Sequence, residues 1–324
     1  MKISIKNVGA IRDADIELGD VTVLYGRNGT GRSTFAKLLD TIVNGQGDEK
    51  AMKAAVDSLP TNNLDPKEPL EIKLAPRTGG KVTLRQGGKT APDLSCLKGF
   101  AQRAVFIDDE VLALCGLIGP ETDLHGISVS ERTLRTLELV QKSFDAKGLS
   151  TENEDPEEAQ VRENLRRICR GRLVPGSKEL RFADEEGSPS ERIRSAGAGL
   201  RLFLLLQQLI FSGAVGRNDV LILDSPESSM HPDWQVRLAE VIILILESIG
   251  IRVIVISQSP YLIGAIEAYS VRWDVEDYIT YAFARRGKQG VEIEDVTGDV
   301  AEIYDDLAGA FDMIQKAKSG KKIK

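Results

Sequence analysis

The chain opens on alternation. Ile3 and Ile5 face away from Lys2, Ser4 and Lys6, and residues 2 to 24 divide into three short strands, the last of them the apolar run Val21 to Leu24. From about Arg32 to Val43 the period lengthens, and Phe35, Leu38, Leu39 and Ile42 fall on one side of a predicted helix. Between Gln46 and Gly99 the chain is rich in Gly, Pro, Lys and Asp; only Leu70 to Leu74 and Val82 to Leu84 alternate, which predicts a small antiparallel sheet between loops. Ala104 to Ile107 reads as a buried strand closed by Asp108-Asp109-Glu110. Ser128-Val129-Ser130-Glu131 has the form of a capping box opening a helix with Leu134, Leu137 and Val140 inward. A second helix starts near Asp155 and buries Val161, Leu165 and Ile168, with the polar stretch Gly148 to Asp155 as connector. Neither helix sustains heptads long enough for a coiled coil, and no internal repeat is visible.

The last third is the most regular. Ser195 to Gly199 leads into the apolar helix Leu200 to Phe211; strand Val220 to Leu223, helix His231 to Ile249, strand Val253 to Ile256 and helix Pro260 to Ala268 follow. Nearly all-apolar strands alternating with helices predict an α/β fold whose parallel sheet is covered on both faces. Leu238 to Ile256 is the most apolar stretch, but Glu240, Glu247 and Arg252 interrupt it, so it reads as helix then buried strand and not as a membrane span.

With 324 residues and 42% hydrophobic content the chain has material for a large core, about two domains' worth on length alone. A net charge of -7 argues against a surface coated for nucleic acid; the basic tail Lys316 to Lys324 reads as a solvated, frayed end. Cys96, Cys115 and Cys169 lack metal-like spacing and cannot all pair within one chain, which fits a reducing cytoplasm, and the N-terminus lacks a signal-peptide core. Two histidines, His125 and His231, are too few for a histidine-based zinc or nuclease centre.

The chemistry concentrates in Gly26-Arg27-Asn28-Gly29-Thr30-Gly31-Arg32-Ser33-Thr34, set between a strand and a helix. This is the phosphate-loop pattern G-x-x-x-x-G-K-[ST] with Arg32 in the lysine's place. Backbone N–H groups of such a turn wrap phosphates, its Ser/Thr hydroxyl holds Mg²⁺, and the following helix N-terminus favours negative charge. Arg32 still supplies charge, but a planar fork does not occupy the space of a compact ammonium. Val220-Leu221-Ile222-Leu223-Asp224 ends like a magnesium-binding strand; alone that is weak, and with the loop at 26–34 it is strong. The expectation is nucleotide binding with slow hydrolysis.

Three phrases together, Asn28 to Phe35, Leu223-Asp224-Ser225-Pro226-Glu227-Ser228-Ser229-Met230-His231-Pro232-Asp233-Trp234-Gln235, and Val255-Ile256-Ser257-Gln258-Ser259-Pro260-Tyr261-Leu262-Ile263, resemble the ABC-type AAA family ATPases, relatives of the RecF, SMC and OLD heads that include ATPases of anti-phage systems such as Septu and some retrons. The resemblance covers residues 1 to 45 and about 190 to 270. It implies a P-loop NTPase of ABC-head type: a mostly parallel central sheet with helices on both faces, a small antiparallel sheet and a helical insertion. The chain is then one ATPase domain, with an N-terminal lobe at 1–110, the helical insertion at 111–190, and at 191–324 a C-terminal lobe carrying a signature-like loop and the Walker B strand. The resemblance implies ATP and Mg²⁺ as cofactors, with Asn28, Gly29, Thr30, Gly31, Arg32, Ser33 and Thr34 on the phosphates and Ser33 and Asp224 serving the metal. It also implies two heads facing each other, each nucleotide sandwiched by the partner's signature loop, here with Ser195 and Gly197.

Four positions depart from the family pattern. Arg32 replaces the lysine. Ser225 stands where a water-activating glutamate usually follows the aspartate, and Gln258 takes the switch histidine's place. In Ser195-Ala196-Gly197-Ala198-Gly199, either Ala196 replaces the phosphate-contacting serine or Ser195 serves in its stead. Losing a positioned base costs about 10² to 10⁴ in rate, whereas binding rests on backbone donors, metal and charge, so binding should outlast catalysis. Glu227 either substitutes as base or caps the next helix; Gln258 can orient a water but not take its proton. Asp108 and Asp109 read as an acidic turn where relatives place a metal- or water-contacting loop. Trp234 and Tyr261 read as core anchors, and arginines 166, 167, 170 and 172 as a solvated helix face paired with glutamates.

The function expected is an ATP-binding ABC-type ATPase with impaired hydrolysis. It would form a homodimer or higher homo-oligomer on nucleotide and regulate a separate effector, such as a nuclease, in anti-phage defence, with nucleic acid contacted only indirectly and no membrane. Two alternatives stand beside it: a nucleotide-independent scaffold subunit, and an active DNA-repair type ATPase.

Overall fold

The computed structural model describes residues 1–60, 69–77, 80–88, 93–119, 121–145, 156–184 and 191–319. The chain begins with β1 (Lys2–Val8), β2 (Ile11–Glu17), β3 (Val21–Gly26), α1 (Arg32–Asn44) and α2 (Glu49–Ser58). It continues through β4 (Glu71–Ala75), β5 (Val82–Arg85), β6 (Arg103–Ile107), α3 (Asp109–Leu114), α4 (Glu131–Lys142) and α5 (Pro156–Ile168). Then come β7 (Arg172–Pro175), β8 (Leu180–Ala183), β9 (Glu191–Arg192), α6 (Ala198–Phe211), β10 (Asp219–Asp224), α7 (Pro232–Ile249), β11 (Arg252–Ser257) and α8 (Pro260–Arg272). The last elements are β12 (Ile279–Gly287), β13 (Gly290–Asp295) and α9 (Ala301–Lys318).

One ten-stranded sheet runs in the order β5-β4-β1-β2-β13-β12-β3-β11-β10-β6. Its heart, β12-β3-β11-β10-β6, is entirely parallel, so the C-terminal ends of these strands lie along one edge. On the other side β5, β4, β1 and β2 pair antiparallel in turn, and β13 joins them to the heart, parallel to β2 and antiparallel to β12. Alternation within the parallel strands sorts side chains onto two faces: Val23, Tyr25, Leu221, Leu223, Val253 and Val255 join the core under α4 to α8, while Leu24, Val220, Ile222, Ile254 and Ile256 join that under α1. Strands buried on both sides must be apolar at every position, which is why 220–223 and 253–256 read so clearly.

The alternating pieces at 70–74 and 82–84 form β4 and β5, but they extend the large sheet through β1; the separate antiparallel sheet is β7-β8-β9, which the pattern left unread. The capping box at Ser128 is corrected by two residues: Ser130 is the N-cap of α4 and accepts from the Thr133 N–H. The expected connector from Gly148 to Asp155 and the tail beyond Ser319 lie outside the described residues. Lys316 and Lys318 belong to the last turn of α9.

Candidate nucleotide site

The glycine turn leaves β3 at the edge where the parallel strands end. Gly29 and Gly31 take φ values of +77° and +72°, a backbone that side chains resist, and the turn thereby delivers Arg32 into the first turn of α1. Thr30 Oγ1 donates to the Arg27 carbonyl at 2.7 Å and braces the bend. Among the described residues, the backbone N–H groups of Asn28, Gly29, Gly31, Arg32 and Ser33 make no hydrogen bond. A row of free donors at a helix N-terminus is an anion cradle. Ser33 is exposed beside it, and Thr34 is half-buried against the β1–β2 turn near Gly9.

Register brings the other motifs to the same edge. Tyr25 pairs with Ser257, and Ile256 with Asp224, so Asp224 stands two strands from the glycine turn, about 10 Å at ordinary strand spacing. Arg32 closes that gap. Its Nη2 donates to Gln258 Oε1 at 3.5 Å, and its charge is felt by Glu227 and Asp224. The side chain is 8% exposed, and burial pulls its pKa down while those two carboxylates hold it up. Arg32 Nη1 is buried without a hydrogen-bond partner.

Glu227 faces the same space. Its Oε1 accepts the Gln258 N–H at 3.0 Å, and its Oε2 is buried and unpartnered. Burial raises its pKa; the Gln258 N–H, the Ser257 hydroxyl and Arg32 only partly oppose this. Glu227 does not cap α7, a task taken by His231, whose Nδ1 accepts from the Asp233 N–H at 3.3 Å. Ser225 sits at φ 55°, its hydroxyl 3.4 Å from Asp224 Oδ1. The β6 end closes one flank: Asp108 caps α3, and Asp109 Oδ1 accepts from the Ser228 hydroxyl at 2.7 Å.

Glycine turn, Asp224, Glu227 and Gln258 therefore share one rim. Ser195 and Gly197 do not join it: both are exposed at the start of α6, and among the described residues no hydrogen bond links them to 26–34. Trp234 packs edge-on against Phe203 with centroids 5.2 Å apart, whereas Tyr261 is 54% exposed and no core anchor. Helix α9 was missed by sequence reading, and it clips the turn. Asp306 accepts from Arg27 through Nε at 3.0 Å and Nη2 at 2.7 Å, and from Tyr25 Oη at 2.6 Å. On the other side Arg286 Nη2 donates to the Gly29 carbonyl at 3.2 Å. Tyr25 next to the glycine turn, and acids in a helical stretch after the last apolar strand, were the only signals, and neither names the other.

The comparisons agree with this architecture. The family described as "AAA domain, putative AbiEii toxin, Type IV TA system" matches residues 127–264, which include Ser195, Asp224, Glu227 and Gln258 but not the glycine turn. An SMC head bound to the C-terminal winged-helix domain of ScpA is similar in structure, with a TM-score of 0.50 and 14% identity over 91% of this chain and 97% of that one. So is an SMC head with an extended coiled coil bound to the C-terminal domain of ScpA, from Pyrococcus furiosus, with a TM-score of 0.51 and 12% identity over 94% and 98%. The chain has the fold of these SMC heads. No curated protein matches the sequence significantly. Among the described residues, no helix of this head is long and apolar enough to cross a membrane, and no three His, Cys, Asp or Glu side chains gather into a metal site.

The donor set fits a magnesium-nucleotide. Free backbone N–H groups and an orphaned guanidinium nitrogen suit phosphate oxygens, and a serine hydroxyl with an aspartate suits a hard cation that keeps most of its waters. Such a cation, once bound, would neutralise phosphate charge, and Ser33 and Asp224 would be the side chains to hold it.

Proposed function

We propose that this head binds ATP with Mg²⁺ at the 26–34 turn, hydrolyses it slowly, dimerises around it, and reports nucleotide status to a separate effector. The observation that carries the reading is Arg32: a buried cation with one unpaired donor, reaching from the phosphate turn to Gln258 and held electrostatically by Glu227 and Asp224. Slow hydrolysis follows from the rim's composition. Ser225 has no basicity and Gln258 takes up no proton, which leaves Glu227, whose proton affinity burial raises, to act as the base. Dimerisation is supported by the exposure of Ser195 and Gly197, which lie away from their own chain's turn and are free to meet a partner's. Anti-phage defence is the setting suggested by the resemblance of the three motifs, and the effector supplies whatever nucleic-acid chemistry is needed.

Sedimentation velocity with and without Mg-ATP tests this reading. A nucleotide-dependent shift from monomer to dimer, lost in Asp224→Ala, is expected; an assembly state indifferent to nucleotide and to that substitution overturns it in favour of a scaffold. That second reading draws on the same arginine, since a guanidinium already bonded to Gln258 and flanked by two carboxylates is compensated within the chain.

A further inference from the structure

We propose that the cleft between α5, β7 and the far half of α6 is a second ligand site, distinct from the glycine turn, for a small nucleoside monophosphate. The cleft encloses about 480 Å³ and is lined by Arg166, Arg172, Leu173, Leu204, Gln207 and Phe211, with Asp184 as the carboxylate in that lining. That volume lies in the range of small-molecule sites. Its composition is graded. Leu173 and Leu204 are buried and Phe211 half-buried, giving an apolar floor; Arg166 and Arg172 stand exposed at the mouth.

Two observations say that the cleft is built for an occupant. Gln207 is 6% exposed, and its Oε1 has no hydrogen-bond partner. A buried carbonyl left unpaired is a cost that folding seldom carries without return. Carbonyl or, turned over, NH₂, it can read the polar edge of a planar ring. The second is the arginines. Among the described residues neither Arg166 nor Arg172 lies within ion-pair distance of a carboxylate, whereas Arg167 reaches Glu240 at 3.6 Å. The paired-face expectation thus holds for Arg167 and not for its neighbours. Arg166 is steadied over the Phe211 ring, its Cζ 5.8 Å from the centroid. Guanidinium forks at the mouth match a phosphate, the apolar floor matches a ring, and Gln207 matches that ring's hydrogen-bonding edge.

The cleft also has leverage. Gly197 caps the N-terminus of α6, and Gln207 lies ten residues further along the same helix, about 15 Å of rise. An occupant would bear on the helix that carries the signature-like loop.

The test titrates AMP and GMP into the full chain by calorimetry, because a monophosphate lacks the outer phosphates for which the glycine turn is built. One site per chain is expected for at least one of the two, weakened tenfold or more in Arg166→Ala/Arg172→Ala and in Gln207→Leu, and unchanged in Asp224→Ala. Both arginines are exposed, and a melting curve checks that the double variant is folded; Gln207→Leu, which removes the orphan carbonyl, should melt no lower than wild type. Absence of binding by both nucleotides at millimolar concentration overturns the proposal. So does binding that ignores the arginine and glutamine variants but disappears in Arg32→Ala, because it then belongs to the glycine turn. The first result leaves the reading of the turn untouched, and the second supports it.

Discussion

Replacing Glu227 by Gln keeps the side chain's shape and its acceptor for the Gln258 N–H while removing a charge that burial opposes. Two effects of opposite sign follow. The folded state raises the Glu227 pKa, so the fold favours the protonated acid. Its contribution to stability is fully present below the ordinary glutamate value of 4.5 and is lost as pH rises through the folded pKa. Gln behaves as the protonated acid at every pH. The variant should therefore match wild type near pH 4.5 and be the more stable at pH 8, by roughly 1 kcal/mol once the lost attraction of Arg32 is set against the relieved burial. Unfolding entropy of roughly 2.1 cal/mol/K per residue makes each kcal/mol worth about 1.5 °C in Tm for a chain of 324 residues. Catalysis moves the other way. If Glu227 takes the proton of the attacking water, single-turnover phosphate release should fall by about 10² to 10⁴, with Mg-ATP affinity retained. Differential scanning calorimetry at pH 5 and 8, with radiolabelled ATP for the chemistry, reads both effects. A Tm difference that does not grow with pH refutes the electrostatic reasoning, and unchanged phosphate release removes Glu227 as the base.

Ser225→Gly should raise Tm by about 1 to 2 °C, because a non-glycine residue at φ 55° carries strain of roughly 1 kcal/mol; a lower Tm would mean that the serine hydroxyl contributes more than the backbone loses. Asp306→Ala should unclip α9 from the glycine turn and speed backbone hydrogen exchange in both; the Arg27 side chain is 70% exposed, so the stability lost should stay near 1 kcal/mol or below. Burial alone would raise the Asp306 pKa, but bonds from Arg27 and Tyr25 hold it below the usual value. The clip should therefore be intact above about pH 4 and fail as pH falls through the folded pKa, a loss that calorimetry of wild type against Asp306→Ala would show. Among the cysteines, burial pushes Cys115 up to about 11 and Cys169 up to about 12, so in the native protein at pH 8 a thiol reagent should reach the half-buried Cys96 first; prompt labelling of all three would contradict that burial.

The parts of the fold legible in sequence were those with two buried faces. Strands 220–223 and 253–256 are apolar at every position and leave no other reading, and the glycine turn announces itself because only certain residues accept its φ values. The β12–β13 hairpin and α9 were not read. Residues 284–287 of β12 mix Ala, Arg and Gly, and the distal half of α9 is exposed throughout, so neither segment shows a clean period. The three-stranded sheet escaped for another reason, since two- to four-residue strands are shorter than any pattern window. At the candidate site, sequence named Arg32, Asp224, Glu227 and Gln258 but could not orient them. That Glu227 turns toward Gln258 and that Asp306 reaches back 281 residues to Tyr25 are facts of packing, set by strand register and helix docking.

The most direct measurement of the central claim is an equilibrium titration of Mg-ATP into wild type and Asp224→Ala, each repeated with Mg²⁺ chelated. Saturable binding to wild type, weakened about tenfold or more both by chelation and by the substitution, is expected, with chelation adding little once Asp224 is gone. Binding that is absent in wild type, or that is equally tight in the variant and without the metal, would contradict a site in which the glycine turn and Asp224 act together.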